Sequence, residues 1–152
     1  STLTYIAEKE NLSFADIDTI CNKKSGVLGI SGVSNDNRDV AAAAEAGNRR
    51  AALAIDMQRY QILKFVGSYI AAMNGVDTIV FTGGIGENDE ELREYICDNL
   101  SYLGVKLDKE ANKVHGEEIK ISTPDSAVNV YIIPTNEELK IARDTKAIVE
   151  AL

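Results

Sequence analysis

Tryptophan is absent from this sequence, and histidine occurs once, at His115. That histidine lies in a polar turn between Lys113 and Gly116, with no second ligand or nucleophile near it, so we assign it no role. No Ser/His/Asp or Cys/His arrangement is present to support nucleophilic catalysis. Cysteine is equally scarce. Cys21 and Cys97 stand far apart and form no CxxC, which excludes a zinc-binding pattern and favours two ordinary reduced thiols. The chain also lacks any Lys/Arg cluster, and its formal charge of −8 opposes phosphate backbones and anionic membranes. Long apolar runs are missing, as is a leader-like opening pattern, so the expectation is a cytoplasmic protein with neither a nucleic-acid nor a membrane partner.

What is there suits a globular protein. A 45% apolar share over 152 residues is enough to build a core. LTYIAEKENLSFADIDTICNKK reads as two short helices, with Ser13 the N-cap of the second. SGVLGISGVS, rich in glycine, reads as a loop or a short broken strand. Ser34 or Asp36 is then placed to cap a helical stretch running from about Asp39 to Met73, broken at Gly47-Asn48. Its second part, from Arg49, is apolar on more than one face, which predicts burial between other elements. Asn74-Gly75 stops it.

Thr78 to Thr82 reads as a strand running into GGIGEN. Asn88 with Glu91 resembles a capping box, and Leu92, Ile96 and Leu100 form the apolar stripe of the helix behind it. LDKEANKVHGEE is polar and turn-like. EIKIST and NVYIIPT are two strands split by Pro124-Asp125, and a last helix spans about Asn136 to Ala151. The alternation of helices and strands indicates an α/β layout.

Three segments carry candidate chemistry. A strand leading through glycines to a helix start presents backbone N–H groups to a phosphate; a tight turn needing positive φ explains the same glycines. GGIGEN is not a P-loop, since no Lys-Ser/Thr follows it. Nor is it a dinucleotide fingerprint, because Asp89 stands where the last glycine is needed. In SGVSNDNRD, Arg38 could stack on a base or pair with phosphate; equally, Asp36 caps a helix and Arg38 pairs with Asp39 or another carboxylate. In IIPTNEELK, Thr135 and Glu138 make a capping box, which leaves Glu137 to complement the helix dipole or to hold Mg²⁺.

These segments, in this order, resemble the acetate kinase family. The matching stretches are NKKSGVLGISGVSNDNRDV, VFTGGIGENDEELREYICDNLSYLGVKLD and IIPTNEELKIARDT. The family is part of the superfamily of actin, heat-shock chaperones and sugar kinases. The resemblance implies an α/β fold, part of the ribonuclease-H-like (actin-like ATPase) C-terminal lobe, with a mixed sheet flanked by helices. It implies reversible ATP-dependent phosphoryl transfer to acetate, giving acetyl phosphate and ADP. By the same resemblance, Gly84, Ile85, Gly86, Glu87 and Asn88 line the adenosine and phosphate side, and Asp36, Asn37 and Arg38 face the nucleotide. Glu137 matches the magnesium carboxylate.

Two departures matter. The family commonly has an apolar residue between the aspartate and the arginine, and here it is Asn37. The match also covers only the C-terminal part of the second lobe. The N-terminal lobe, the first core strands, the acetate pocket and the phosphoryl-steadying arginines are outside it, and His115 does not match the family's histidine. No catalytic residue is therefore expected in residues 1–152, and turnover by this chain alone is not expected. A propionate or butyrate kinase of the same family fits equally well, since acceptor length is read elsewhere. The alternative of another class is a non-catalytic nucleotide-binding or dimerisation module, because family members are homodimers joined through this lobe.

Overall fold

The computed structural model describes residues 2–151, which divide into two compact units, one up to Ile62 and one from Leu63 onward. The first is helical. Helix α1 spans Thr2–Glu10 and α2 spans Phe14–Thr19, the latter running on into a π-helical turn at Ile20–Lys24. Ser13 caps α2 as predicted: the Asp16 N–H donates to its hydroxyl at 3.2 Å while the Ser13 N–H donates to the Asp16 carboxylate at 2.9 Å.

The glycine-rich SGVLGISGVS is not a loop or broken strand. Gly26–Ser31 forms helix α3. Its Val27 and Ile30 pack on the buried cluster of Val40, Ala51 and Ala54, and that burial outweighs the poor helix propensity of glycine. Arg50 satisfies the end of this helix, donating from Nε to the Ile30 carbonyl at 2.8 Å and from Nη2 to that of Gly29 at 3.2 Å. Helices α4 (Asn37–Glu45) and α5 (Arg49–Ala72) follow, broken at Gly47-Asn48 as expected. Asn48 caps α5, accepting from the Arg50 and Ala51 N–H groups.

The expectation that α5 is buried does not hold. Ala51, Ala54 and Ile70 are buried, but Leu53, Tyr60, Phe65 and Tyr69 are each more than half exposed.

The second unit holds a three-stranded mixed sheet in the order β1-β3-β2, with β1 at Thr78–Phe81, β2 at Ile119–Lys120 and β3 at Asn129–Ile132. Strand β1 runs parallel to β3, in a register that pairs Phe81 with Ile132, and β2 runs antiparallel to β3. Between β1 and β2 come α6 (Gly83–Asn88) and α7 (Glu90–Asn99), and α8 (Glu137–Glu150) ends the chain. The core joins Phe81, Val130 and Ile132 from the sheet with Leu92, Ile96 and Leu100, the stripe predicted for α7, and with Cys97 beside them. Burial pushes the Cys97 thiol up to about 12, so it is a packing residue rather than a reactive thiol.

Two predicted caps are displaced by one residue. Asp89, not Asn88, caps α7, its carboxylate accepting from the Leu92 N–H at 2.8 Å; Asn88 is the last residue of α6. Asn136, not Thr135, caps α8 by accepting from the Leu139 N–H at 3.1 Å, so there is no Thr135–Glu138 capping box. At α7 the two neighbours cap about equally well, whereas at α8 asparagine is a better cap than threonine. Glu137 is consequently the first residue of α8. None of α8 is buried.

Candidate functional site

The parallel pairing of β1 and β3 builds the site in the second unit. Two parallel strands deliver their C-terminal ends to the same edge of the sheet, where ligands of open α/β sheets bind. Here β1 delivers GGIGEN and β3 delivers Ile133 to Glu137, and the ladder continues into the exit, with the Ile133 N–H donating to the Phe81 carbonyl at 2.9 Å. The glycine-rich segment and the acidic start of α8 thus emerge from adjacent strands.

The three glycines of this turn answer to different causes. Gly83 has φ +70°, a conformation that side chains rarely adopt, and so reverses the chain out of β1. Gly86 is buried, and a Cβ there would lie 3.2 Å from the Phe81 carbonyl carbon, so its absence lets α6 close on β1. Gly84 is exposed, has no positive φ, and an added Cβ would meet nothing within 4 Å. Neither conformation nor packing within the chain requires a glycine at that position.

The rest of the turn is held by hydrogen bonds. Asn88 donates from Nδ2 to the Gly84 carbonyl at 2.9 Å, closing α6 on itself. Glu87 accepts from the Thr135 N–H at 2.9 Å and from its hydroxyl at 3.1 Å, tying α6 to the approach to α8. The Thr135 N–H holds the Glu87 carboxyl below the usual carboxylate range, despite some opposing desolvation. Ile85 is 40% exposed and projects an apolar side chain beside Gly84. Glu137 is exposed at the head of α8, together with Glu138.

Sequence reasoning missed Thr135 as a partner of Glu87, and it missed Arg93. Arg93 is fully buried on α7 and donates to the carbonyls of Gly86, Asn112 and Val114. A signal was available: Arg93 stands on the apolar face with Ile96, Cys97 and Leu100, where a charged residue needs partners. Asn112, inside the polar, turn-like LDKEANKVHGEE, is buried as one of those partners.

The segment predicted from the first unit is ordered in its own right. The Val33 N–H donates to the Ser31 hydroxyl and the Asp36 N–H to that of Ser34. Asp36 caps α4, and Asn37 is the first helical residue. Arg38 pairs with Asp36 rather than Asp39, through Nε at 3.1 Å and Nη2 at 2.6 Å. This double contact and the Arg38 N–H lower the Asp36 carboxyl to about 2. Arg38 keeps 90% of its side chain exposed.

Among the described residues, no group of three or more His, Cys, Asp or Glu side chains gathers to hold a metal ion, and no helix is long and apolar enough to cross a membrane. Magnesium asks for less than such a group, since one or two carboxylates and the substrate's phosphates suffice. The exposed carboxylate of Glu137 fits that requirement.

Comparison with known proteins is consistent along the chain. The model of the acetokinase family matches residues 1–143. Acetate kinase of Thermoanaerobacterium thermosaccharolyticum is 58% identical over 153 residues, covering 100% of this chain and 38% of that protein. Acetate kinase of Methanosarcina thermophila is 56% identical over 146 residues, covering 96% of this chain and 36% of that one. Among solved structures, Porphyromonas gingivalis acetate kinase superposes with a TM-score of 0.89 at 48% identity, over 97% of this chain and 37% of that one. A propionate kinase from Francisella tularensis superposes with a TM-score of 0.81 at 40% identity, over 93% and 36%. The chain therefore spans somewhat more than a third of the length of the relatives it matches.

Proposed function

Since this chain belongs to the acetokinase family, we propose that it supplies the nucleotide and magnesium side of an ATP-dependent acetate kinase. It corresponds to the C-terminal portion of the second lobe, in a protein placed in the cytoplasm. In the whole reaction a carboxylate oxygen of acetate attacks the γ-phosphorus of ATP, the bond to the β,γ-bridging oxygen breaks, and acetyl phosphate and ADP leave. Catalysis of such a transfer is positioning and charge stabilisation. Turnover requires groups outside residues 1–152, so the chain alone is inactive.

The observation that carries the reading is Gly84. Gly83 and Gly86 have reasons within the fold, whereas Gly84 stands exposed with open space where a Cβ would be. Omitting a side chain there leaves room for a ligand to approach the backbone. Gly84, Ile85 and Asn88 present the outer surface of the turn to the adenosine, while Gly86 and Glu87 fix its shape. Glu137 would hold Mg²⁺, which when bound would supply neutralisation of phosphate charge. In the first unit, taken by itself, Asp36, Asn37 and Arg38 are the residues we assign to facing a nucleotide, with Arg38 held by Asp36 and largely exposed.

A propionate acceptor is the second reading, favoured by the likeness to the Francisella tularensis propionate kinase. A dimer contact through the uncovered apolar side chains of α5 and α8 belongs to the same proposal. Calorimetric titration of Mg-ADP and Mg-ATP into the chain tests the nucleotide reading. Assay of the whole protein on acetate, propionate and butyrate separates the acceptors.

A further inference from the structure

Arg93 has the largest fully buried side chain among the described residues. Taking a guanidinium out of water is costly, and burial pulls its pKa down while Asp89 and Glu90 pull it up. A methionine or leucine would fill similar space without that cost. What the guanidinium does and an aliphatic chain cannot is hold several oxygens in fixed directions. Its Nη1 donates to the Gly86 carbonyl at 2.9 Å, its Nη2 to the carbonyls of Asn112 at 2.6 Å and Val114 at 3.1 Å, and its Nε to the Asn112 Oδ1 at 2.8 Å. Asn112 is itself anchored, donating from Nδ2 to the Glu90 carbonyl at 2.9 Å.

The Gly86 contact matters because Glu87 is the next residue in the chain. The Glu87 carboxylate holds both donors of Thr135, two residues before Glu137. A rigid run of contacts therefore passes from the core through the turn to the head of α8.

We infer that Arg93 is a positioning residue for the nucleotide site: by holding the Gly86 carbonyl it sets the path of the GGIGEN turn, and through Glu87 and Thr135 it sets where Glu137 stands. Arg93 touches neither nucleotide nor metal; it acts by fixing residues that do. The inference rests on the nucleotide reading above for its functional part, but its structural part does not.

The test is Arg93→Lys in the full chain, which keeps the charge but cannot span three carbonyls with one ammonium. Amide hydrogen exchange is read at Asp89, whose N–H donates to the Ile85 carbonyl, and at Thr135, whose N–H donates to Glu87. The Ile121 N–H, which donates to the Val130 carbonyl, reports the sheet. Exchange at Asp89 and Thr135 is expected to quicken about tenfold or more while Ile121 is unchanged. Mg-ADP affinity is expected to fall by about tenfold to a hundredfold, as for other residues that orient metal ligands. Unchanged exchange at Asp89 and Thr135, or a uniform rise that includes Ile121, overturns the inference. If Arg93→Lys does not fold, Asn112→Ala loosens the same guanidinium, and failure to quicken the same two amides overturns it. A wild-type chain that binds no Mg-ADP removes the nucleotide reading, while the exchange result still decides whether Arg93 sets the turn.

Discussion

The Glu87 carboxylate and Thr135 are joined by two hydrogen bonds, at 2.9 Å from the Thr135 N–H and 3.1 Å from its hydroxyl. This pair ties the glycine-rich turn after β1 to the segment leaving β3, across 48 residues of sequence. Replacing Thr135 by Val removes the hydroxyl donor and keeps the N–H. Stability is expected to fall by about 1 kcal/mol or less, as for one hydrogen bond, with Mg-ADP affinity reduced several-fold. Denaturant melts and calorimetry check the two parts, and an unchanged affinity would mean that the tie does not matter to the ligand.

The glycines separate in the same way. Gly86→Ala forces a Cβ against the Phe81 backbone and is expected to cost about 1–3 kcal/mol of stability in urea unfolding. Gly84→Ala meets open space and is expected to leave stability within about 0.5 kcal/mol or to raise it slightly. Equal losses at the two positions would refute their division into a packing glycine and a ligand-facing one.

At the head of α8, Asn136→Ala is expected to cost about 1 kcal/mol through loss of the cap. Glu138→Ala is expected to stay within about 0.5 kcal/mol, since Glu138 closes no capping box. The reverse order in thermal or urea unfolding would restore Thr135 as the cap.

Asp36 gives the pH prediction. Its folded carboxyl sits at about 2, below the ordinary carboxylate value, because Arg38 bonds it. Its contribution to stability is therefore present above about pH 4 and is lost as pH falls from about 4 towards 2. Titration of the Asp36 carboxyl by NMR should show a midpoint near the lower value, and Arg38→Ala should return it towards the ordinary one. An unshifted Asp36 in the native chain contradicts the pairing.

The elements were legible in sequence wherever local pattern and tertiary contact agree. The α7 stripe of Leu92, Ile96 and Leu100, the stop at Asn74-Gly75 and the strand before GGIGEN all appear where the pattern puts them. The α3 helix did not, because the contacts of Val27 and Ile30 with Val40, Ala51 and Ala54 outweigh local propensity. Caps slipped by one residue because Asn88 and Asp89, like Thr135 and Asn136, are adjacent residues that can both cap a helix. The Glu87–Thr135 contact is a product of parallel strand pairing across 48 residues, which no short window of sequence contains, and the Arg93–Gly86 contact, though local, depends on how α7 packs against α6.

The most direct measurement is calorimetric titration of Mg-ADP into the folded chain, its Gly84→Val variant and its Glu137→Gln variant. The account predicts saturable binding by the wild type, abolished by Gly84→Val and weakened by Glu137→Gln in a magnesium-dependent way, with both variants folded. Binding that survives Gly84→Val unchanged would contradict it, and so would no binding at all by a folded wild-type chain.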